Sequence, residues 1–117
     1  MEVTQQINRT YYVYGYGKAV DYILPQQSTT GGTIAYVPPL GEIELNYLQI
    51  INATTVTITV TISDGSTPLY AAAINPSSAL VIQEPQKLIF LQAFVLNTGG
   101  NQVYVYGSGK VFLPPTF

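Results

Sequence analysis

The sequence predicts a single all-β domain, an antiparallel β-sandwich that is jelly-roll-like, with short terminal arms at 1–8 and 114–117. The length of 117 residues suits one domain. The segment 55–62, "TVTITVTI", alternates with a period of two, as a half-buried strand does. Clusters of glycine, proline and small polar residues divide the chain into short segments, and no window carries a helical stripe with caps. Many short strands with such turns in one small domain are typical of a sandwich or jelly roll.

The first part of the chain is expected to contain four strands. Segments 10–16 and 19–24 are rich in aromatic and aliphatic residues, and glycines at 15 and 17 mark the end of the first segment. A third strand at 33–37 lies between the turn-forming clusters "PQQSTTGG" and "PPLGE". A fourth strand at 43–52 contains the run "IELNYLQIIN". All four are therefore expected to be short and bounded by turns.

The central segment 55–62 is expected to form a hairpin with segment 68–74. Asp64 and Gly65 follow the alternating strand, and Asp-Gly is typical of a tight turn in which φ is positive. The role of Asp64 is interpreted as that of a turn residue only. The threonines of the alternating strand should face solvent. The side chains expected to face the core are Val56, Ile58, Val60 and Ile62.

The C-terminal part is expected to add three strands. The motif "QEPQ" separates a strand at 79–83 from one at 87–96, and "NTGGNQ" separates the latter from a strand at 102–112. Together with the earlier segments, this makes nine predicted strands in one domain.

A seven-residue motif occurs twice, as "YVYGYGK" at 12–18 and as "YVYGSGK" at 104–110, and we call these two copies the first and the second phrase. In an extended chain each copy places its tyrosines on one face and valine and glycines on the other. Glycines inside a strand mark a bulge, a sharp bend or a close approach of another segment. One interpretation is that two strands bend at equivalent corners of the sandwich and could be neighbours in one sheet. The other is that the tyrosine faces contact another subunit, because tyrosine offers a large, stiff, amphipathic surface.

Composition excludes several classes of function. Only 9% of residues are charged, against ~25% in an ordinary soluble domain, so neutral polar side chains must hydrate the surface. Tolerance of acid, salt and heat is expected, because few groups can titrate. A net charge of −2 with four scattered cations gives no basic patch for nucleic acid. The lack of cysteine and histidine excludes disulfides, thiolate metal sites and the familiar catalytic triads.

Neither secretion nor membrane association is expected. The opening "MEVTQQINRT" lacks the cationic and apolar pattern of a signal peptide, and the stretch "LIFLQAFVL" is too short to span a bilayer.

Few residues suggest chemistry. Glu42 and Glu44 would lie on the same face of a strand, which suits a carboxylate pair or a hard cation, but no Asp-rich loop accompanies them. The glycine pairs of the doubled phrase lack the third glycine and the helix of a phosphate-binding loop. Asn-x-Thr sequons begin at Asn8 and Asn52. We therefore predict no catalytic residue, no cofactor and no metal.

Residues 33–113 resemble small β-sandwich structural proteins of viruses, found as head, neck, tail or decoration subunits in tailed phages and archaeal viruses. The resemblance lies in an order of features: an "AYVPP" entrance, a strand ending in "IIN", an alternating Thr/Val strand, a glycine hairpin, an aliphatic strand and a closing "VYVYGSGKV". It implies a virion subunit, made in the host cytoplasm and located in the particle. The first 32 residues carry no part of it.

The expected function is that of a non-catalytic virion structural protein that self-associates and docks to other capsid or tail proteins. The alternative is a carbohydrate-binding module or adhesin that stacks exposed tyrosines on a glycan. A third hypothesis, a lyase or hydrolase using Glu42 and Glu44, requires both carboxylates in one cleft. The residues expected to include the protein contacts are Tyr12, Tyr14, Tyr16, Tyr104, Tyr106 and Phe117.

Overall fold

The structure of the chain, a computed structural model, describes residues 18–114, and these form eight strands in two antiparallel sheets. The order of strands across the first sheet is β1-β8-β3-β6, and across the second sheet it is β2-β7-β4-β5. The strands are β1 Lys18–Thr29, β2 Gly32–Tyr36, β3 Glu42–Asn52, β4 Ile58–Asp64, β5 Thr67–Ile74, β6 Ala79–Phe90, β7 Ala93–Asn97 and β8 Val103–Leu113.

The strand pairs are nested. β1 pairs with β8, β2 with β7, β3 with β6 and β4 with β5, as if one long hairpin had been wrapped into two layers. Pairs β3–β8 and β4–β7 then join the four-stranded sheets. This arrangement confirms the predicted jelly-roll-like β-sandwich. The predicted arm at 1–8, the predicted strand at 10–16 and all but Pro114 of the predicted C-terminal tail lie outside the described residues.

The core between the sheets consists of aliphatic side chains and two phenylalanines. Phe90, at the end of β6, and Phe94, in β7, stack with ring centroids 4.9 Å apart and an interplanar angle of 24°. Both rings are fully buried, so they join the two layers where the chain passes from one to the other. Between residues 18 and 114 no helix is long and apolar enough to cross a membrane.

The alternating strand β4 is confirmed for most of its length. Ile58, Val60 and Ile62 are buried in the core. Val56, which was expected to face the core, is 56% exposed, and that prediction is wrong. The strand begins only at Ile58, because the carbonyl of Val56 accepts a hydrogen bond of 2.7 Å from the side chain of Asn52, which holds the preceding loop.

The predicted division between 79–83 and 87–96 is also wrong. β6 runs on through the cis Glu84–Pro85 peptide to Phe90. Its pairing with β3 is nevertheless interrupted there, because Tyr47 lies opposite Gln83 while Leu45 lies opposite Leu88. The proline thus interrupts the ladder and not the strand, which is tolerated because β6 is an edge strand.

The break between strands falls instead at residues 91–92, where no glycine or proline marks it. Here the chain passes from the first sheet to the second. The carboxylate of Asp64 accepts hydrogen bonds from the amides of Leu91, Gln92 and Ala93, at 3.0, 2.8 and 3.2 Å. The interpretation of Asp64 as a turn residue only was therefore incomplete, since its side chain holds a corner distant in sequence.

The other strands begin and end close to their predicted bounds, except that β1 is longer. It continues through Pro25 to Thr29, with an irregularity in its pairing to β8 between Leu24 and Gln27. The proline is accommodated because β1, like β6, lies at an edge of the first sheet. In the predicted β4–β5 hairpin, Asp64 pairs with Thr67 and Gly65 takes a positive φ of 60°.

Candidate interaction face

The outer face of the first sheet is the candidate functional site. Residues directly opposite one another in antiparallel strands share a face, so the register defines its rows. Tyr104 lies opposite Ile51, Tyr106 lies opposite Gln49, and Gln49 in turn lies opposite Val81. Tyr47 completes the central part, opposite Ser108 and Gln83. We call the following six residues the tyrosine face: Tyr47, Gln49, Ile51, Val81, Tyr104 and Tyr106.

Strand β8 supplies two tyrosines through simple alternation. Val103 and Val105 are completely buried against the second sheet. Tyr104 and Tyr106 therefore point outward, and each remains 37% exposed. This confirms the predicted division of the second phrase into an aromatic face and an opposite face of valine and glycine.

Strand β3 supplies its part through a bulge. Leu45 lies opposite Gly109 and Tyr47 lies opposite Ser108, so Asn46 is an extra residue in β3. A single extra residue moves all following side chains to the other face of the strand. Glu44 faces outward before the bulge, whereas Tyr47, Gln49 and Ile51 face outward after it, and Leu48 and Ile50 are buried.

The glycines of the second phrase accommodate this bulge. A β-carbon added to Gly109 would collide with the carbonyl oxygen of Glu44. One added to Gly107 would lie 3.0 Å from the carbonyl oxygen of Tyr47, which is tighter than an ordinary contact. The sequence offered a bulge, a sharp bend or a close approach of another segment as reasons for these glycines. In this copy the reason is the close approach of the backbone of β3 at its bulge. Gly15 and Gly17 of the first copy lie outside the described residues.

Two of the tyrosines are packed against each other. The rings of Tyr47 and Tyr106 meet edge to face, with centroids 6.0 Å apart and an interplanar angle of 66°. This is a favoured geometry for aromatic pairs. Because both residues belong to central strands of the sheet, the tyrosine face is held in place before any partner binds.

Charged groups lie at one end of the same sheet, beyond the tyrosine face. Lys110 Nζ is 2.8 Å from Asp21 Oδ1, and Lys87 Nζ is 2.9 Å from Glu44 Oε2. The hydrogen bond and the charge of Lys110 lower the pKa of Asp21, and those of Glu44 raise the pKa of Lys87. The tyrosine face itself contains no charged residue.

Glu42 and Glu44 lie on one face of β3, as predicted, and the charges of both, with that of Glu44 the stronger, raise the pKa of Lys87. Glu44 is engaged with Lys87. A groove of about 260 Å³ is found near Lys87, and neither glutamate lines it. Among the described residues no group of three or more acidic, histidine or cysteine side chains could hold a metal ion.

The sequon at Asn52 has a structural role. Asn52 is 1% exposed, and its amide nitrogen donates hydrogen bonds to the carbonyls of Val56 and Ile74, at 2.7 and 2.9 Å. Its side-chain oxygen accepts bonds from the amide and the hydroxyl of Thr54. A glycan would replace one of the two hydrogens on this nitrogen and so remove one of these bonds, and at a residue that is 1% exposed there is no room for a sugar, so the folded chain cannot carry one there. The sequon at Asn8 lies outside the described residues.

Two of the six predicted contact residues, Tyr104 and Tyr106, lie together in the tyrosine face. Tyr12, Tyr14, Tyr16 and Phe117 lie outside the described residues. Sequence reasoning missed the other members of the face. The run "YLQII" after Asn46 indicates that Tyr47, Gln49 and Ile51 share one face of the strand. Whether that face is the outer or the inner one depends on the bulge.

Comparison with known proteins gave no match of the chain to a family model, to a curated protein or to a solved structure. The resemblance to viral structural proteins therefore stays a prediction.

Proposed function

We propose that the protein is a non-catalytic structural subunit of a virus particle that self-associates and docks to other capsid or tail proteins. The observation that carries the proposal is the tyrosine face. It is uncharged, it contains three tyrosines, and all of its residues except Val81 lie on the central strands β3 and β8. Tyrosine is enriched in the energetically important parts of protein interfaces, where it buries a large area at small entropic cost.

Fold and composition support the same proposal. The jelly roll recurs in viral capsid proteins, although a fold by itself does not determine function. With only 9% charged residues, contacts between copies must depend on apolar, aromatic and main-chain groups more than on ion pairs. A domain without cysteine and histidine also keeps its surface chemistry when a particle leaves the cytoplasm of its host.

The proposal places a contact at Tyr104 and Tyr106. The further contacts expected at Tyr12, Tyr14, Tyr16 and Phe117 remain predictions of the sequence. Replacing Tyr104 and Tyr106 together by serine removes two aromatic rings from the solvent side of β8 and leaves Val103 and Val105 in the core. The variant should therefore fold and associate less well.

The test compares the unsubstituted chain, Tyr104→Ser/Tyr106→Ser and the control Tyr36→Ser, using light scattering and negative-stain imaging. Tyr36 is a suitable control because it is 79% exposed on β2, in the other sheet. We expect an oligomer of defined symmetry for the unsubstituted chain and for the control, and at least about tenfold weaker association for the double variant. An unsubstituted chain that stays monomeric at high concentration would contradict the proposal.

A carbohydrate-binding function is the second candidate, favoured by the exposed rings of Tyr104 and Tyr106 beside the amide of Gln49. The jelly roll also recurs in lectins. A glycan array distinguishes the two candidates. Saturable binding by the monomer that is lost in Tyr104→Ser/Tyr106→Ser would establish the second candidate, and the absence of such binding would support the structural role.

A further inference from the structure

The four edge strands of the sandwich differ in how well they are protected against pairing with another chain. Edge strands expose unpaired amides and carbonyls, and proteins guard them with charges, prolines, bulges or short length. β1 carries Lys18, Asp21, Pro25 and an irregularity in its pairing. β2 has only five residues and a further irregularity. β6 carries Glu84, Pro85 and Lys87.

The fourth edge, β5, has none of these devices over most of its length. Its proline and the irregularity in its pairing lie at the hairpin end, before Tyr70. From Tyr70 to Ile74 the sequence is Tyr-Ala-Ala-Ala-Ile, without charge, proline or bulge. Within the described residues β4 is the strand that pairs with β5, and no other described strand covers the opposite edge of β5.

Strand β5 is also unusually exposed. Alanines 71 and 73, on the outer side of the second sheet, are exposed, and Tyr70, on the inner side, is still 41% exposed. Leu69 and Tyr70 line the groove of about 260 Å³ together with Ile82, Gln86, Lys87 and Leu88 of β6. Among the described residues the sandwich is therefore open along this side, where a largely apolar groove, with Gln86 and Lys87 at its β6 wall, lies next to the uncharged edge of β5.

We infer that β5 pairs antiparallel with β5 of a second copy of this chain, across a two-fold axis at Ala72, and so joins the second sheets of two copies into one. This rests on the proposed function, since it names one contact by which the subunits associate. A second copy is the occupant that the edge fits best, because an antiparallel pairing about a two-fold axis brings identical hydrogen-bonding edges together.

The side chains suit this symmetric pairing. With Ala72 opposite Ala72 of the partner subunit, Ala71 lies opposite Ala73 of the partner subunit, so small neutral groups meet on the outer side. On the inner side Tyr70 lies opposite Ile74 of the partner subunit, an aromatic and β-branched pair of the kind that stabilises sheets. No like charges meet, because the paired segment has none. The joined sheet would contain eight strands, which is within the usual range.

The test introduces charges at the exposed alanines and then restores attraction by mixing. In full-length protein, Ala71→Lys/Ala73→Lys and Ala71→Glu/Ala73→Glu should each place like charges opposite one another and weaken association at least about tenfold. An equimolar mixture of the two variants should associate again with a stoichiometry of one to one, because each lysine then faces a glutamate. Sedimentation velocity at physiological salt measures both results.

Thr59→Lys is the matched control, because Thr59 is exposed on β4 directly beside Ala73 but not on the edge strand. It should associate as the unsubstituted chain does. Thermal unfolding of each variant checks that the fold is retained. Association of Ala71→Lys/Ala73→Lys as tight as that of the unsubstituted chain, or a mixture that stays monomeric, would overturn the inference.

The result also separates this inference from the proposed function. If Tyr104→Ser/Tyr106→Ser abolishes assembly while the charged β5 variants assemble normally, the pairing through β5 is wrong and the structural role stands. If the unsubstituted chain itself is monomeric at every concentration, both fail.

Discussion

The carboxylate of Asp64, at the end of β4, lies 2.8 Å from the amide nitrogen of Gln92, which belongs to the corner between β6 and β7. The neighbouring amides of Leu91 and Ala93 donate to the same carboxylate. In return, the amide of Gly65 donates to the carbonyl of Ala93 at 2.9 Å. These hydrogen bonds therefore join the β4–β5 hairpin to the corner where the chain passes from the first sheet to the second.

Removing this carboxylate should destabilise the fold. We expect Asp64→Ala to lower the free energy of unfolding by about 1–3 kcal/mol, because three amides lose a charged acceptor. Asp21→Ala is the control, since its ion pair with Lys110 lies in solvent, and it should change stability far less. Urea denaturation measures both values. Equal effects of the two substitutions would contradict the role given to Asp64.

The same carboxylate should make stability depend on pH. Partial burial acts to raise the pKa of Asp64, but the hydrogen bonds from the amides of Leu91, Gln92 and Ala93 outweigh it, so its pKa lies below the ordinary value. A lowered folded-state pKa means that its stabilisation is complete above the unfolded value of ~3.9 and is lost as the pH falls through the folded value. Asp64→Asn should therefore show a smaller loss of stability than the unsubstituted chain when urea denaturation at pH 7 is compared with that near pH 3 (about one unit below the unfolded value).

The bulge in β3 predicts an unequal tolerance of neighbouring positions in β8. Gly109→Ala would bring a methyl group against the carbonyl of Glu44, so we expect a loss of about 3 kcal/mol or more in unfolding free energy. Ser108 is one residue away and already has a β-carbon, so Ser108→Ala should change the free energy of unfolding by no more than about 0.5 kcal/mol. Chemical denaturation of both variants is the measurement, and a harmless Gly109→Ala would mean that the two backbones are farther apart.

Asn52 should be far more sensitive than an exposed asparagine. We expect Asn52→Ala to cost about 2–3 kcal/mol, because it removes the Asn52 donor from the buried carbonyl of Ile74 and one of the two side-chain donors to the carbonyl of Val56, the other being the hydroxyl of Thr54. Asn75→Ala is the control. Asn75 is exposed, and its side-chain oxygen accepts a hydrogen bond from the hydroxyl of Thr57. If thermal unfolding ranks the two variants equally, the loop is not held by Asn52.

The residue at which β4 begins can be checked by making the same change, valine to threonine, at two positions. Val56→Thr should be nearly neutral, because Val56 is exposed in the loop. Val60→Thr should cost about 1–3 kcal/mol, because it places a hydroxyl in the core at a completely buried position. A similar cost for both in urea denaturation would favour the longer strand that the alternation alone predicts.

The sequence by itself determined the features that depend on neighbouring residues. The alternation of threonine with valine and isoleucine placed Ile58, Val60 and Ile62 in the core, and Asp64 with Gly65 placed the hairpin. The valine and glycine positions of "YVYGSGK" separated the buried face of β8 from its tyrosines. These signals are local because side chains in a strand alternate with a period of two, and turns need particular backbone angles.

Only the tertiary structure decided what depends on partners distant along the chain. The bulge at Asn46 turns Tyr47 rather than Leu48 toward solvent, and it is accommodated by Gly109 in β8. The corner at residues 91–92 is held by Asp64, 27 residues or more away in sequence. Neither Asn46 nor Leu91 differs locally from its neighbours in a way that marks such a break. The physical reason is that a backbone amide or an extra residue acquires its role from the group packed against it, and that group is brought there by the fold.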